Sequence, residues 1–68
     1  SIQEHPGHIV LIRVGHFFVT YEDDADAISR TLGMTAEKRK ASFPSHALDT
    51  YLPKLIRAGH KVAIFENA

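Results

Sequence analysis

Sixty-eight residues, 44% hydrophobic and 24% charged, with zero formal net charge and no cysteine, describe one small globular domain. A chain of this length buries only about 60% of the surface its unfolded form exposes, which argues against a large, deep active-site cavity. The lack of cysteine excludes disulfides and thiolate metal sites, and no apolar run is longer than that of Ile9 to Ile12, far too short to span a membrane, so the expected location is cytoplasmic.

Charge is unevenly spread. Residues 1–33 carry two bases and five acids, whereas residues 34–68 carry six bases and three acids. A domain holding nucleic acid alone, by counterion release, is normally more basic than this. The chain begins at Ser1 and stops just after a strand-like segment, so a single domain over 1–68, part of a larger protein, is expected.

Pro6-Gly7 reads as a turn, and His8 to Val14 as a buried strand rich in β-branched residues. Gly15-His16 permits a tight turn into a second strand, Phe17 to Tyr21, antiparallel to the first. Asp23 or Asp24 is placed to cap a helix on which Ala25, Ile28 and Leu32 share one face, with Gly33 closing it. Met34 to Ser45 is ambiguous. It is expected to hold a short third strand, with Met34-Thr35 suited to one, or a loop. Ser45 is placed to cap a second helix with an apolar stripe of Leu48, Tyr51, Leu52, Leu55 and Ile56, kinked or broken near Asp49 to Leu52 by Pro53. Lys61 to Phe65 closes the chain as a strand. The order β-β-α-(β)-α-β implies an α+β fold, a small mixed sheet with two helices packed on it. Its expected core is Ile9, Leu11, Ile28, Leu32, Leu48, Leu52, Leu55, Val62 and Ile64.

Few constellations point to chemistry. His5 and His8 have the spacing of paired metal ligands, but they flank a turn and no further ligands converge on them, so no metal is expected. His46 and Asp49 lie one helical turn apart, yet Ser45 beside them serves better as a cap than as a nucleophile. Neither glycine-rich phosphate-binding pattern occurs. Lys38-Arg39-Lys40 is either a solvated loop or a set of phosphate contacts. Because side chains alternate along a strand, Phe17, Val19 and Tyr21 share one face of theirs, and Phe18 and Thr20 the other. One phenylalanine of the pair must leave the face that the other occupies.

The segments "HIVLIRVG", "GHFFVTYEDDADAISRTLG", "MTAEKRK", "FPSHALDTYLPKLIRAG" and "KVAIFEN" together resemble the N-terminal mismatch-recognition domain, domain I, of the MutS DNA repair family, from Pro6 to Glu66. Pro44, His46, Ala47, Tyr51, Leu52, Leu55 and Gly59 fall in the family register. The family motif Gly-Asp-Phe-Tyr-Glu uses its phenylalanine to stack on a mismatched base and its glutamate to hydrogen-bond it. The phenylalanine falls on Phe17, the glutamate on Val19 and the aspartate on His16. The family's closing Cys-Glu-Gln falls on Phe65-Glu66-Asn67, and the stretch between Lys40 and Phe43 is shorter than the family loop.

The resemblance implies a MutS domain I fold with Phe17 outward and Phe18 inward. It also implies a non-catalytic module without a cofactor that contacts DNA through Phe17, Lys38, Arg39 and Lys40 and lacks true mismatch discrimination. The alternative is a protein interaction module using an apolar strip of Phe17, Val19 and Tyr21 within a larger DNA-processing protein.

Overall fold

The computed structural model describes residues 7–66. Strand β1 (His8–Val14) turns at Gly15-His16 into β2 (Phe17–Tyr21), and Val14 pairs with Phe17 across the two-residue loop. Gly15 sits at φ 61. A positive φ at the first loop position suits a tight hairpin, and glycine reaches it without steric cost. Helix α1 (Glu22–Leu32) follows, then β3 (Lys40–Pro44), a 3-10 turn (Ser45–Ala47), helix α2 (Leu48–Arg57) and β4 (Lys61–Phe65).

The strands form one mixed sheet in the order β3-β2-β1-β4. β2 is antiparallel to both its neighbours, and β4 runs parallel to β1. The uncertain third strand is therefore real, but it starts at Lys40, and Met34-Thr35 lies outside it. β3 reads Lys-Ala-Ser-Phe-Pro and alternates strictly, with Ala41 and Phe43 buried and Lys40, Ser42 and Pro44 exposed.

Both helices cover one face. The core cluster joins Ile9 and Leu11 of β1, Phe18 of β2, Ala41 and Phe43 of β3, Ala25, Ala27 and Ile28 of α1, and Leu55 of α2. Phe43 stacks edge-on against Tyr51 at 5.1 Å between ring centres and lies tilted 5.9 Å from Phe18. Aromatic pairs at these separations add to the burial energy of the rings themselves.

Several expectations are corrected. Neither Asp23 nor Asp24 caps α1, which begins after Tyr21 without a side-chain cap bond. The Asp24 carboxylate instead accepts the Val10 amide at 3.1 Å, tying the helix start to β1. Ser45 does not cap α2 either; its amide donates to the His16 carbonyl at 2.8 Å, and a 3-10 turn intervenes. Pro53 does not break α2, which runs unbroken from Leu48 to Arg57. Asp49, the residue whose carbonyl loses its partner to Pro53, is exposed, as is Pro53, so water can satisfy the freed group.

The expected core is right for Ile9, Leu11, Ile28 and Leu55, but Leu32, Leu48, Leu52 and Val62 are only half-buried and Ile64 is exposed. Ile64 lies on the edge strand β4, where one flank has no neighbouring strand to cover it. No described helix is long and apolar enough to cross a membrane.

Candidate nucleic-acid interface

The two adjacent phenylalanines part company. Phe18 points under the helices and is 2% exposed, while Phe17 points away from them and is 49% exposed. Phe17 opens its strand at the hairpin, and its cross-strand neighbours Val14 and Pro44 are exposed as well. A ring at the end of a strand has neighbours on fewer sides than one at its middle. Val19, two residues further along the same face, is only 6% exposed, and Tyr21 is half-buried. The strip of Phe17, Val19 and Tyr21 is thus interrupted at its centre, and the apolar surface at its head is the cross-strand pair Val14 and Phe17.

A shallow groove on this helix-free face is lined by Val14, Phe17, Val19, Lys40 and Ser42. Beside it a larger open hollow is lined by Tyr21, Thr35, Glu37, Lys38, Lys40 and Ser42. The Lys40 ammonium lies 6.0 Å from the centre of the Tyr21 ring. Lys40 borders both depressions, so the fold brings Phe17, Lys38 and Lys40 onto one continuous surface.

Arg39 goes elsewhere. Its Nη2 donates to Asp23 Oδ1 at 2.6 Å and to Asp26 Oδ2 at 2.8 Å, both on α1. Its bonds to Asp26 and then Asp23 raise its pKa above the usual arginine value, so it stays charged, with two carboxylates against it. Asp23 and Asp26, two of the acids that follow β2, therefore serve as its counterions. Lys38 and Arg39 form the centre of a two-residue hairpin in which Glu37 and Lys40 exchange both backbone bonds, at 2.9 and 3.0 Å. Their φ values of 52 and 55 belong to a type I′ turn, usually supplied by asparagine and glycine. For residues with a Cβ this left-handed backbone costs roughly 1–2 kcal/mol each.

Val14 and Ser42 were not singled out from sequence as site residues. The signal for Val14 was present, since a two-residue loop at Gly15-His16 sets Val14 opposite Phe17. Ser42 required knowing that β3 pairs with β2. His46 and Asp49 are both exposed, and among the described residues no group of three or more side chains is arranged to hold a metal. His5 lies outside the described residues.

The architecture is an α+β domain with a single mixed sheet, one face sealed by two helices and the other carrying an exposed aromatic residue beside lysines. The family model for MutS domain I matches residues 1–68, and the chain belongs to that family. It is 51% identical over 74 residues to the DNA mismatch repair protein MutS of Porphyromonas gingivalis, covering 96% of this chain and 8% of that protein. The MutS of Phocaeicola vulgatus is 51% identical over 73 residues, with 94% and 8% covered. That of Salinibacter ruber is 47% identical over 74 residues, with 96% and 8% covered. The chain spans about 8% of the length of these curated relatives. The aligned stretch of 74 positions exceeds the chain's own 68 residues, so the relatives carry residues with no counterpart here.

Proposed function

We propose that this chain is a non-catalytic, cytoplasmic, DNA-contacting module of a larger protein, with Phe17 as the residue that stacks on or wedges between bases and Lys38 and Lys40 as phosphate contacts. The observation that carries the reading is the exposure of Phe17, at the position that the MutS resemblance assigns to base stacking, while its neighbour Phe18 fills the core. An apolar ring inserted from the minor-groove side unstacks a base step at a cost of a few kcal/mol, and that cost is lowest where stacking is already weak. The lysines at the edge of the same surface offer the sequence-independent attraction that holds a duplex against such a ring.

Discrimination between mismatched and matched pairs is not part of this function. Val19 stands where the family motif has its base-bonding glutamate, and it is an apolar side chain, nearly buried. It can neither accept from nor donate to a base edge, and a bidentate base contact contributes about 1–3 kcal/mol of discrimination where one exists.

Titration of labelled duplex, single-stranded and G·T-mismatched DNA with the 68-residue chain at low and moderate salt tests both parts. Salt-dependent binding is expected, with matched and G·T duplexes agreeing within about 1 kcal/mol, less than one base contact would contribute. A tenfold preference for the mismatch would overturn the second part, and no binding at low salt would overturn the first. The exposed Val14–Phe17 pair supports a second reading, a docking surface for an apolar segment of a protein partner, and absence of DNA binding would favour it.

A further inference from the structure

We propose that Arg39 is a positioning residue and not a phosphate ligand: by clamping the Lys38-Arg39 turn to the start of α1, it sets Lys38 and Lys40 where they face DNA. The DNA-facing half of this statement rests on the function proposed above; the clamp itself does not.

Arg39 fastens the turn twice. Its guanidinium holds Asp23 and Asp26, and its carbonyl accepts the Glu22 amide at 2.7 Å. The described residues with positive φ other than glycine are Glu22, Lys38 and Arg39: two of them are the ends of that single backbone bond, and Lys38 directly precedes one end. Strained backbone of this kind persists only where surrounding contacts over-determine it. Lys-Arg has no intrinsic preference for a type I′ turn, so the hairpin needs an outside hold, and the contacts of Arg39 with α1 supply it. The same contacts make Arg39 a poor phosphate ligand. A phosphate approaching its guanidinium would also approach the carboxylates of Asp23 and Asp26, which are respectively 98% and 41% exposed. Among the described residues Lys38 and Lys40 form no ion pair, and both border the hollow beside Tyr21.

The test uses the full chain as Arg39→Ala, Arg39→Lys and the double variant Asp23→Asn/Asp26→Asn. Amide hydrogen exchange without DNA reads the clamp. In Arg39→Ala and in the double variant the Glu22 and Lys40 amides should exchange at least about fivefold faster, as expected of local opening, while amides at the centre of β1 keep their rates. Arg39→Lys should recover part of the protection, because an ammonium group still attracts both carboxylates.

Salt dependence of duplex affinity reads the role. Arg39→Ala should weaken binding with the slope of log affinity against log salt unchanged, whereas loss of a phosphate ligand lowers that slope by about 0.9. A lowered slope, or unaltered exchange at Glu22 and Lys40, would overturn the proposal. If the unsubstituted chain fails to bind DNA at low salt, the phosphate-contact function fails, and the exchange rates still decide whether Arg39 holds the turn.

Discussion

Phe17 and Phe18 are chemically identical neighbours with opposite fates. Phe18 is packed between Phe43 and the Arg13 guanidinium, whose central carbon lies 5.9 Å from the ring centre, and belongs to the cluster sealed by both helices. Phe17 sits beside the exposed Val14 and Pro44 on the face that the helices leave open. Strand pleating alone forces the separation, because successive side chains must point to opposite faces. What pleating does not decide is which ring goes in. That is settled by the rest of the sheet: Phe18 is in register with Phe43 and Arg13, and Phe43 is the one large apolar residue that β3 places under the helices.

The sharpest way to break this comparison is to remove each ring. Phe18→Ala should destabilise the chain by about 3–5 kcal/mol, as truncation of a buried aromatic does. Total stability for so small a domain is of the order of 5 kcal/mol, so the variant should be largely unfolded by circular dichroism at 37 °C. A cooperative melt within a few degrees of the parent would mean that Phe18 is not the centre of the core.

A second pair on α2 makes the same contrast more gently. Leu55 is completely buried in the cluster, and Leu52 is half-buried. Leu55→Ala should cost about 2–5 kcal/mol, and Leu52→Ala distinctly less, because less apolar surface returns to water. Urea denaturation of the two variants side by side measures the order, and a larger loss for Leu52→Ala would misplace the helix by a turn.

Much of this fold can be read from the sequence. The apolar run of β1, the glycine turn, the helical stripe ending at Leu32-Gly33 and the closing strand all lie where their patterns place them. The α+β class follows from their order. The capping roles were not legible, because a carboxylate near a helix start has several ways to be satisfied. Asp24 found the Val10 amide, and Asp23 found Arg39, partners distant in sequence. The small core residues Ala25, Ala27 and Ala41 were equally hidden, since alanine carries little hydrophobic signal and is buried here only by the close approach of α1 to the sheet.

On the candidate surface, Phe17, Lys38 and Lys40 were identifiable from residue type. The diversion of Arg39 was not, because the two-residue turn that aims it at α1 contains neither glycine nor asparagine.

Thr20 sharpens the comparison at the core end of β2. It shares the helix-facing side with Phe18 and is 1% exposed, and its hydroxyl has no hydrogen-bond partner among the described residues. A buried, unsatisfied polar group costs about 1–3 kcal/mol, whereas an apolar group of the same shape avoids that cost. Thr20→Val should therefore raise stability by about 1 kcal/mol, visible as an increase of several degrees in Tm for a domain of this size. A decrease would mean that the hydroxyl is paired in solution.

The smallest expected effect on stability carries the most functional meaning. Phe17→Ala removes a whole ring, yet about half of that ring's surface is already in water, and its exposed neighbours Val14 and Pro44 lose little support when it goes. Its stability should stay within about 0.5 kcal/mol of the parent, the usual range for a surface change. A ring retained at such a position contributes almost nothing to the fold, and a large apolar group held in water favours contact with something else. Stacking on a base contributes about 1–3 kcal/mol when the aromatic is truncated to alanine, so Phe17→Ala should weaken DNA binding roughly 5- to 150-fold while the melt is unchanged. The lysines act through charge, so the salt dependence of the remaining affinity should keep its slope. Unchanged affinity in this variant would remove Phe17 from the interface. A melt lowered by several kcal/mol would instead show that the outward ring is a structural residue, and that the two phenylalanines differ less than their exposure indicates.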